Sequence, residues 1–458
     1  MTYRAPGNPT AAALGAIDLA LLVLFLLGIY TNYELRLTPT VPIPCTLSGI
    51  AGIALLWRRR DMIAPHHVAA LMIVVVVYLA AVFSATDYGF LTKRVLGWVQ
   101  LVYSLVLGYT LLLTVLLAGR GQLAALFLTL SAIIVIGCLL ETYTGLRQVS
   151  DAVRQQIYSF GVYASDLRDE ILYGMVRPKL FTSEPSSVTF AYTLFGFAWL
   201  VASRWRWKLP LYLALVGAGL VAMPGPTVLL MVVMLGPYYL LLAEKDARPD
   251  HDWIAHWAKA GVLSVLFVAV FAYLATTVYA ERMSHIFSGQ DPSFFYRVIG
   301  PALVAFDVIE RYPWAGAGLT GEPFIANDVL NVFVGSAHYS SAWRFDKVAE
   351  VLTNYFWLHW IYLGLVWGIL TLAAQAAWLR VLAPSDTLFA WVTWVVFGQA
   401  SGAYVGPKTW TVLLLTLALA MKVRSEPAWW WRAQPVRRRS APATGVWMPA
   451  PHQGASRP

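Results

Sequence analysis

The sequence predicts an all-α protein that crosses a membrane many times. Of its 458 residues, 59% are apolar and only 12% carry a charge, and the mean hydropathy is +0.62. A soluble domain of this size cannot bury so much apolar surface. The apolar residues form continuous runs, such as LMIVVVVYLAAVF, instead of alternating with polar ones. Continuous runs are typical of spanning helices and alternation is typical of spanning strands, so helices are predicted.

We predict twelve spans within a single membrane domain over residues 1–421. The first apolar run has no basic leader and no small-residue cleavage site, so we expect it to be retained as a span. The predicted spans are 11–30, 41–57, 66–84, 95–118, 122–141, 186–203, 209–222, 226–243, 260–279, 351–379, 387–405 and 409–421.

The orientation of these spans follows from basic residues in the short connections. Arginine and lysine follow the second, sixth and eighth spans and recur in the tail at Arg437–Arg439. Placing these groups inside puts both termini in the cytoplasm. Two long segments, about 142–185 and 280–350, then lie outside. The basic tail, 422–458, is predicted to be disordered and to rest on anionic membrane lipids, and nucleic acid is not an expected partner.

Sequence motifs of metal, nucleotide and hydrolytic sites are absent. The chain has no H-E-x-x-H, no P-loop, no G-x-S-x-G and no cysteine cluster. We therefore expect no metal and no cofactor, and we do not expect an ATP-driven pump. Cys45 and Cys138 both fall within spans, where buried free thiols are expected, although a disulfide between them stays open.

Ionisable residues are concentrated in the two outer segments. Asp18, which we place near the middle of the first span, is the clearest charge inside a span, whereas a transport pathway usually has several. A lipid-linked anion on the outer leaflet is the ligand expected at such a location. Arginine suits pyrophosphate because its planar fork makes paired, charge-assisted hydrogen bonds. Such bonds also stabilise a departing pyrophosphate without a metal.

The first outer segment has helical apolar spacing over VRQQIYSF and SDLRDEILYGM, and RPKLFTSEPSS follows at the edge of a span. The second outer segment contains a helix that begins at Asp291-Pro292 and ends before Pro313. Its apolar stripe is Ile299, Leu303, Phe306 and Ile309.

Three further expectations concern the second helix. Arg297 and Arg311 are roughly four helical turns apart and should emerge on a similar face. Pro301 is expected to kink the helix. Gly316 and Gly318 are expected to form a flexible turn after it.

Three motifs in this order resemble the O-antigen ligase and O-antigen polymerase superfamily of bacterial envelopes, over about residues 170–370. The first is an outer arginine followed by Ser-Glu-Pro-Ser, here Arg177 and Ser183–Ser186. The second is an arginine, an amphipathic helix, a proline and Gly-x-Gly, here from Arg297 to Gly318. The third is His-Asn, nine residues and a glycine, which here reads Thr353-Asn354 and Gly364.

Two departures from the superfamily pattern direct the functional expectation. Thr353 stands where ligases have a histidine, and Met223–Pro226 stands where many members have Ser-Arg. The missing histidine counts against a lipid A–core ligase, and the Ser-Glu-Pro-Ser form is more similar to exopolysaccharide repeat-unit polymerases.

The resemblance implies a helical membrane glycosyltransferase of the C type, metal-independent and inverting, in the bacterial inner membrane. It would join undecaprenyl-pyrophosphate-linked repeat units, extend a growing polysaccharide at the periplasmic face, and work with a flippase and a chain-length regulator. Two alternatives stay open, a ligase that moves finished glycan to another acceptor and a flippase or exporter of lipid-linked oligosaccharide.

The same resemblance implies roles for particular residues. Glu184 is the first candidate for the catalytic base, and His338 is the second. Residues expected to bind pyrophosphate or glycan are Arg177, Lys179, Arg297, Arg311, Arg344, Asn354 and His359.

Overall fold

The computed structural model of the protein describes residues 13–38, 41–85, 87–158, 162–163, 166–243, 284, 288, 294–336 and 348–425. Most of these residues are helical. The α-helices, numbered in chain order within the described residues, are α1 Ala16–Thr31, α2 Thr46–Arg58, α3 Pro65–Phe83, α4 Leu91–Leu117, α5 Arg120–Tyr143, α6 Leu146–Ile157, α7 Asp166–Tyr173, α8 Pro185–Ala202, α9 Lys208–Ala222, α10 Pro226–Val233, α11 Leu235–Leu241, α12 Gly300–Arg311, α13 Ala326–Val334, α14 Val348–Val351, α15 Tyr355–Leu382, α16 Thr387–Gly398 and α17 Pro407–Ser425.

A few short elements of other types accompany the helices. Two 3-10 turns cover Arg60–Met62 and Tyr88–Phe90, and a π-helical turn covers Phe295–Ile299. An antiparallel hairpin pairs β1 (Leu35–Thr38) with β2 (Val41–Ile43). Strand β2 occupies residues that the sequence assigns to the start of the second span, and the helix there begins only at Thr46.

The protein is a helical membrane protein. Within the described residues, five helices are long and apolar enough to cross a membrane, namely α3, α4 with the 3-10 turn before it, α5, α8 and α15. The helices α1, α2, α9, α10 with α11, and α16 are apolar but shorter. The predicted total of twelve spans is therefore not confirmed, and the predicted span 260–279 lies outside the described residues.

Helices α8 and α17 form the centre of the bundle. Nearly every side chain of both is buried, as expected for helices that are apolar all round. Helix α17 packs along α4, and α8 packs on α5 and α10. Each begins with a proline, Pro185 or Pro407, which suits the first position because its missing N–H has no intrahelical acceptor there.

The two ends of the bundle differ in the polar groups that they gather. At the end that we name the Arg120 end, Arg120 donates to the carbonyls of Val201 and Ala202, where α8 finishes. Helices α8, α10, α15 and α17 begin at the opposite end, which we name the Lys408 end. The topology predicted from the sequence puts the Lys408 end in the periplasm.

The position predicted for Asp18 is wrong. Helix α1 begins at Ala16, so Asp18 lies in its first turn at the Arg120 end instead of in mid-span. Its carboxylate accepts hydrogen bonds from Arg58, at 2.5 Å, and from Arg59. A carboxylate in the first turn is also favoured by the helix dipole. Asp18 is thus a structural residue that joins α1 to α2.

Helix α15 is broken at Gly364, where φ is +62°. The break leaves carbonyl and N–H groups without intrahelical partners, and the turn after α12 supplies them. Ala317 N donates to Ile361 O at 2.8 Å, and Leu365 N donates to Pro313 O at 2.8 Å. The second and third family-like motifs therefore meet in space.

The turn at Gly316 and Gly318 is not flexible, contrary to the prediction. Both residues have positive φ, and a Cβ at Gly316 would lie 2.4 Å from Ile361 O. Ala317, between the two glycines, and Ala315, directly before them, are buried. Glycine is required here because the backbone of the turn docks directly on the broken helix.

The outer segments are partly helical in the predicted places. The first contains α6 and α7. The apolar residues Leu167 and Ile171 of α7 are 71% and 75% exposed, as expected for a helix that lies on lipid. In the second, Ile299, Leu303 and Phe306 are exposed while Val304 and Val308 are buried. The predicted apolar stripe therefore faces outwards. The start predicted at Asp291 lies outside the described residues.

Candidate functional site

The segment Lys179–Ser183 is fixed by side chains from three other helices. Glu141 on α5 accepts hydrogen bonds from the backbone N–H groups of Lys179, at 3.0 Å, and Leu180. Arg154 on α6 donates to the carbonyls of Thr182 and Ser183. Further contacts come from Ser150, which accepts from Phe181 N, and from Tyr30 and Tyr158, which donate to Leu180 O and Phe181 O. A loop beside lipid thus keeps its polar backbone groups paired.

The same segment holds two residues in a disfavoured backbone conformation. Leu180 has φ of 33° and Phe181 has φ of 61°, although neither is glycine. Such residues persist only where surrounding contacts over-determine them, and they occur frequently at functional sites. The observation marks this loop as a candidate part of the site.

Lys179 and Arg177 are both ion-paired with helix α7. Lys179 Nζ lies 2.7 Å from Asp166 Oδ1, and Arg177 Nε lies 2.9 Å from Asp169 Oδ1. Burial favours a higher pKa for Asp166, but the contacts with Lys179 and Arg147 together outweigh burial and lower that pKa below its usual value. The side chain of Lys179 is almost completely buried. Within the described residues, its contacts are those of a structural lysine.

Arg177 is held on two sides but keeps one nitrogen directed elsewhere. Its Nη2 donates to Tyr163 OH at 3.2 Å, and its guanidinium lies over the ring of Tyr173. Burial alone would lower the pKa of Arg177, but Tyr173, Asp169 and Tyr163 outweigh it and raise that pKa. The remaining Nη1 approaches Gly225, 4.0 Å from where a Cβ would stand.

Arg297 reaches the same connection from the other outer segment. Its Nη1 lies 3.4 Å from Thr227 Oγ1, two residues after Gly225. The connection between α9 and α10 therefore receives two arginines that are far apart in sequence. This connection contains the Met223–Pro226 stretch noted above as a departure from the superfamily pattern. The structure brings Arg177 and Arg297 together there.

Asn354 positions the backbone of Arg297. A helical residue at 301 would donate its N–H to Arg297 O, but Pro301 has no N–H to give. Asn354 Nδ2 instead donates to the carbonyl oxygen of Arg297 at 2.7 Å and also donates to Gln399 Oε1 at 2.9 Å. Its Oδ1 caps α15 by accepting from Phe356 N and Trp357 N. Asn354 is fully buried, and its amide has no capacity left for a substrate.

Arg297, which precedes α12, and Arg311, the last residue of α12, do not lie on one face as the sequence predicts. The π-helical turn Phe295–Ile299 shifts the phase of the helix before α12 begins. Arg311 consequently points to α13, where it lies 2.6 Å from Asp328, and it also pairs with Asp307 of its own helix at 2.9 Å. Arg297 and Arg311 do not share a site in the described structure, because they contact different helices.

Glu184 lies exposed directly before α8. Its Oε1 accepts a hydrogen bond from Ser186 Oγ at 2.5 Å, and its side chain does not cap the helix. No ion pair of Glu184 with Arg177 or Lys179 forms among the described residues, since both cations are paired with aspartates of α7. The carboxylate remains accessible to a ligand at the start of α8.

Lys408 is a residue of this region that the sequence analysis did not select. It is the second residue of α17, is only 7% exposed, and donates to Ser187 Oγ at 3.2 Å. Ser187 closes the Ser-Glu-Pro-Ser-Ser stretch, so Lys408 adjoins the first motif. Its ammonium also interacts electrostatically with Glu184.

The remaining predicted residues are distributed elsewhere. His359 is buried within α15, where Nδ1 contacts Tyr404 OH at 2.8 Å and Nε2 contacts Gly368 O at 3.1 Å. His338 and Arg344 lie outside the described residues. Both cysteines are buried and free, so Cys45 and Cys138 do not pair.

The helix starts at the Lys408 end add a favourable field for anions. Helices α8 and α10 begin there without a side-chain hydrogen bond to their first N–H groups. Helix starts with unpaired N–H groups attract anions. Arg177, Arg297 and Lys408 supply formal positive charge beside these starts. A group of three or more potential metal ligands is not found among the described residues.

No family model, curated protein or solved structure matches the chain. The resemblance to the ligase and polymerase superfamily therefore stays a prediction from motifs, and the argument for function depends on the geometry of the Lys408 end.

Proposed function

We propose that the protein polymerises undecaprenyl-pyrophosphate-linked oligosaccharide repeat units into an exopolysaccharide at the periplasmic face of the bacterial inner membrane. The convergence of Arg177 and Arg297 on the α9–α10 connection carries this proposal. Arg177 and Arg297 come from separate outer segments and meet beside helix starts that have no side-chain cap. This arrangement suits a pyrophosphate, because each of its two phosphate groups can then contact a positively charged partner.

The reaction proposed for this site is a single displacement at the anomeric carbon of the donor glycan. The acceptor hydroxyl oxygen forms the new bond to that carbon, while the bond from the carbon to the pyrophosphate oxygen breaks. Inversion follows because the two oxygens are on opposite sides. The leaving pyrophosphate stays on its undecaprenyl carrier, and Arg177 and Arg297 stabilise its additional charge.

Glu184 is the base in this proposal. It takes the proton of the acceptor hydroxyl as the new bond forms, which requires a carboxylate that is accessible and not neutralised by an ion pair. Among the described residues, Glu184 is exposed and its carboxylate accepts only from Ser186. Lys179, Arg311 and Asn354 act in this scheme by fixing α7, α13 and Arg297.

The apolar surroundings suit a substrate with an isoprenoid tail. A cavity of about 330 Å³ lies between α1, α5 and α8, next to the Leu180-Phe181 turn of the first motif. Leu180 and Phe181 form one wall, and Leu26, Ile133 and Phe195 are among the others. A cavity with apolar walls in a membrane protein accommodates a hydrocarbon chain at no desolvation cost.

The test is polymerisation by the purified protein in detergent or liposomes, with lipid-linked repeat units as donor and acceptor. We expect the wild-type protein to produce a ladder of lengthened glycans. Glu184→Gln preserves the shape and removes the base, so its rate should fall by about 10² to 10⁴ while substrate still binds. Glu170→Gln, which changes an exposed carboxylate on α7, is the matched control.

Other outcomes separate the alternatives. Transfer of a preassembled glycan to a different acceptor, without a ladder, would indicate a ligase. Movement of lipid-linked oligosaccharide across the liposome membrane without elongation would indicate a flippase or exporter. A normal ladder from Glu184→Gln together with inactive His338→Ala would assign the base to His338.

A further inference from the structure

Lys408 is a buried cation without a carboxylate partner in the part of the chain that the structure describes. Its ammonium makes one hydrogen bond, to the neutral hydroxyl of Ser187, and a contact with the ring of Phe190, 5.8 Å from the ring centre. An ammonium has three donors, so two are left without a protein acceptor there. Burying a charge costs free energy unless a partner of opposite charge compensates.

Four other buried basic residues of the described structure are paired with a carboxylate or with more than one carbonyl. Arg94 donates to the carbonyls of Ala317 and Asp87, although its Nη2 has no partner there. Lys179, equally buried, lies 2.7 Å from Asp166, and Arg154 lies 2.5 Å from Asp151. Arg120 donates to a set of backbone carbonyls. Lys408 therefore stands out because its only hydrogen-bond acceptor among the described residues is an uncharged side chain.

The location of Lys408 indicates which anion could compensate its charge. It lies in the first turn of α17, beside the first turn of α8, and therefore at the end of the bundle where Arg177 and Arg297 meet. Phe190, under the ammonium, also packs on Phe397, which is near the Gln399 that holds Asn354. Glu184 acts on the ammonium electrostatically, but no ion pair between Glu184 and Lys408 forms among the described residues.

We infer that Lys408 is a third substrate-binding cation, which contacts a phosphate oxygen of the lipid-linked pyrophosphate. This inference rests on the proposed function, because it assigns one more contact to the same substrate. Ser187 orients the ammonium from α8, and the pyrophosphate bridges α8, α10 and α17 when it binds. A purely structural alternative is that Lys408 only ties α17 to α8 through Ser187.

Binding of inorganic pyrophosphate to the purified full-length protein, measured by calorimetry in neutral detergent, tests the inference. Lys408→Met keeps the length of the side chain and removes the charge, so we expect affinity to fall by about tenfold, the value of one charge-assisted hydrogen bond. Lys408→Arg, which keeps the charge, should lose less. Lys422→Met is the matched control, since it removes a buried lysine from the other end of α17.

Ser187→Ala distinguishes the two explanations, because it removes the hydrogen bond between helices and leaves the ammonium in place. The inference predicts a clearly smaller loss from Ser187→Ala than from Lys408→Met. Should Lys408→Met fail to fold, Lys408→Gln, which keeps a donor for Ser187, takes its place with the same expected loss.

The outcomes separate this inference from the proposed function. Wild-type affinity in Lys408→Met, or equal losses in Lys408→Met and Ser187→Ala, would overturn the role of Lys408 and leave the polymerase proposal standing. A wild-type protein that binds no pyrophosphate and makes no ladder would overturn the proposed function, and the role of Lys408 with it.

Discussion

The two ends of the bundle use their charged residues in different ways. At the Arg120 end, Asp18 is shared by Arg58 and Arg59, Asp386 pairs with Arg424, and Arg120 covers the last carbonyls of α8. At the Lys408 end, Arg177 and Lys179 are also paired, with aspartates of α7. Glu184 and Lys408 at this end each contact a serine, and among the described residues neither forms an ion pair.

This difference separates charges that serve the fold from charges that are available to a ligand. An ion pair at a helix end fixes the packing of two helices, and only a nitrogen that the pair does not use, such as Nη1 of Arg177, remains available to a ligand. A carboxylate and an ammonium that contact only hydroxyl groups keep most of their capacity to interact with a charged ligand. An active site needs such preorganised charges before the substrate binds. If substitutions at the two ends had the same effects on activity and stability, this distinction between the ends would be wrong.

The largest expected effect concerns which end faces the periplasm. A cysteine at Glu170, exposed on α7, should react fully with an impermeant thiol reagent in intact cells whose outer membrane is permeabilised. A cysteine at Arg206, exposed before α9, should react only after the inner membrane is lysed. Background labelling should be low because Cys45 and Cys138 are buried. The reverse pattern would put the candidate site in the cytoplasm and end the proposed mechanism.

The next effect concerns the two converging arginines. Arg177→Lys and Arg297→Lys keep the charge but lose the planar fork, so polymer yield per molecule should fall by about tenfold or more. Arg424→Lys, at the Arg120 end, is the matched control and should keep wild-type yield. All three proteins should reach normal expression levels. Normal yield from both outer variants would remove pyrophosphate binding from these arginines.

The sequence could predict part of this site because some residues occur in recognisable local patterns. Arg177 and Glu184 belong to one contiguous stretch, and Arg297 precedes an amphipathic helix, so both arginines were identified. The same reasoning gave most helices, because long apolar runs determine them whatever their neighbours are. The contact between Gly316 and Gly364 is not predicted, although both glycines occupy motif positions.

Lys408 and Thr227 could not be found in this way. A single lysine at the start of an apolar run is usually a residue whose side chain extends to the headgroups, and only packing against α8 buries this one. Thr227 follows a Met-Pro-Gly-Pro stretch without a charge of its own. The pairing of Lys179 with Asp166, which changes its expected role, likewise depends on how α7 folds back over the loop.

The third effect tests the structural charges at the Arg120 end. Asp18→Asn removes the carboxylate that Arg58 and Arg59 share, so we expect the free energy of unfolding to fall by about 1–3 kcal/mol. Activity per folded molecule should stay at the wild-type value, because Asp18 is remote from the candidate site. Thermal unfolding in detergent and the ladder assay measure the two quantities. A loss of activity without a loss of stability would contradict the division between the ends.

The smallest effect concerns pH and the pairing of Lys179 with Asp166. The pKa of Asp166 lies below its usual value in the folded protein, because Lys179 and Arg147 together outweigh the effect of burial. A carboxylate with a lowered folded pKa stabilises the protein above its unfolded pKa, about 3.9, and this contribution disappears as the pH falls through the lower folded value. The wild-type protein should therefore lose part of its stability below about pH 4.

Asp166→Asn should show less of this acid loss and a free energy of unfolding at pH 7 that is lower by about 0.2–1 kcal/mol, since water screens a side chain that is 37% exposed. The control is Asp61→Asn, because Asp61 is 94% exposed and 3.9 Å from Arg60. Unfolding is followed from pH 3 to pH 7 at low salt, where the pairing is least screened. If wild type and Asp166→Asn lose stability in parallel as the pH falls, Lys179 is not tied to Asp166 in solution. Its ammonium would then be available to the pyrophosphate, as the sequence first suggested.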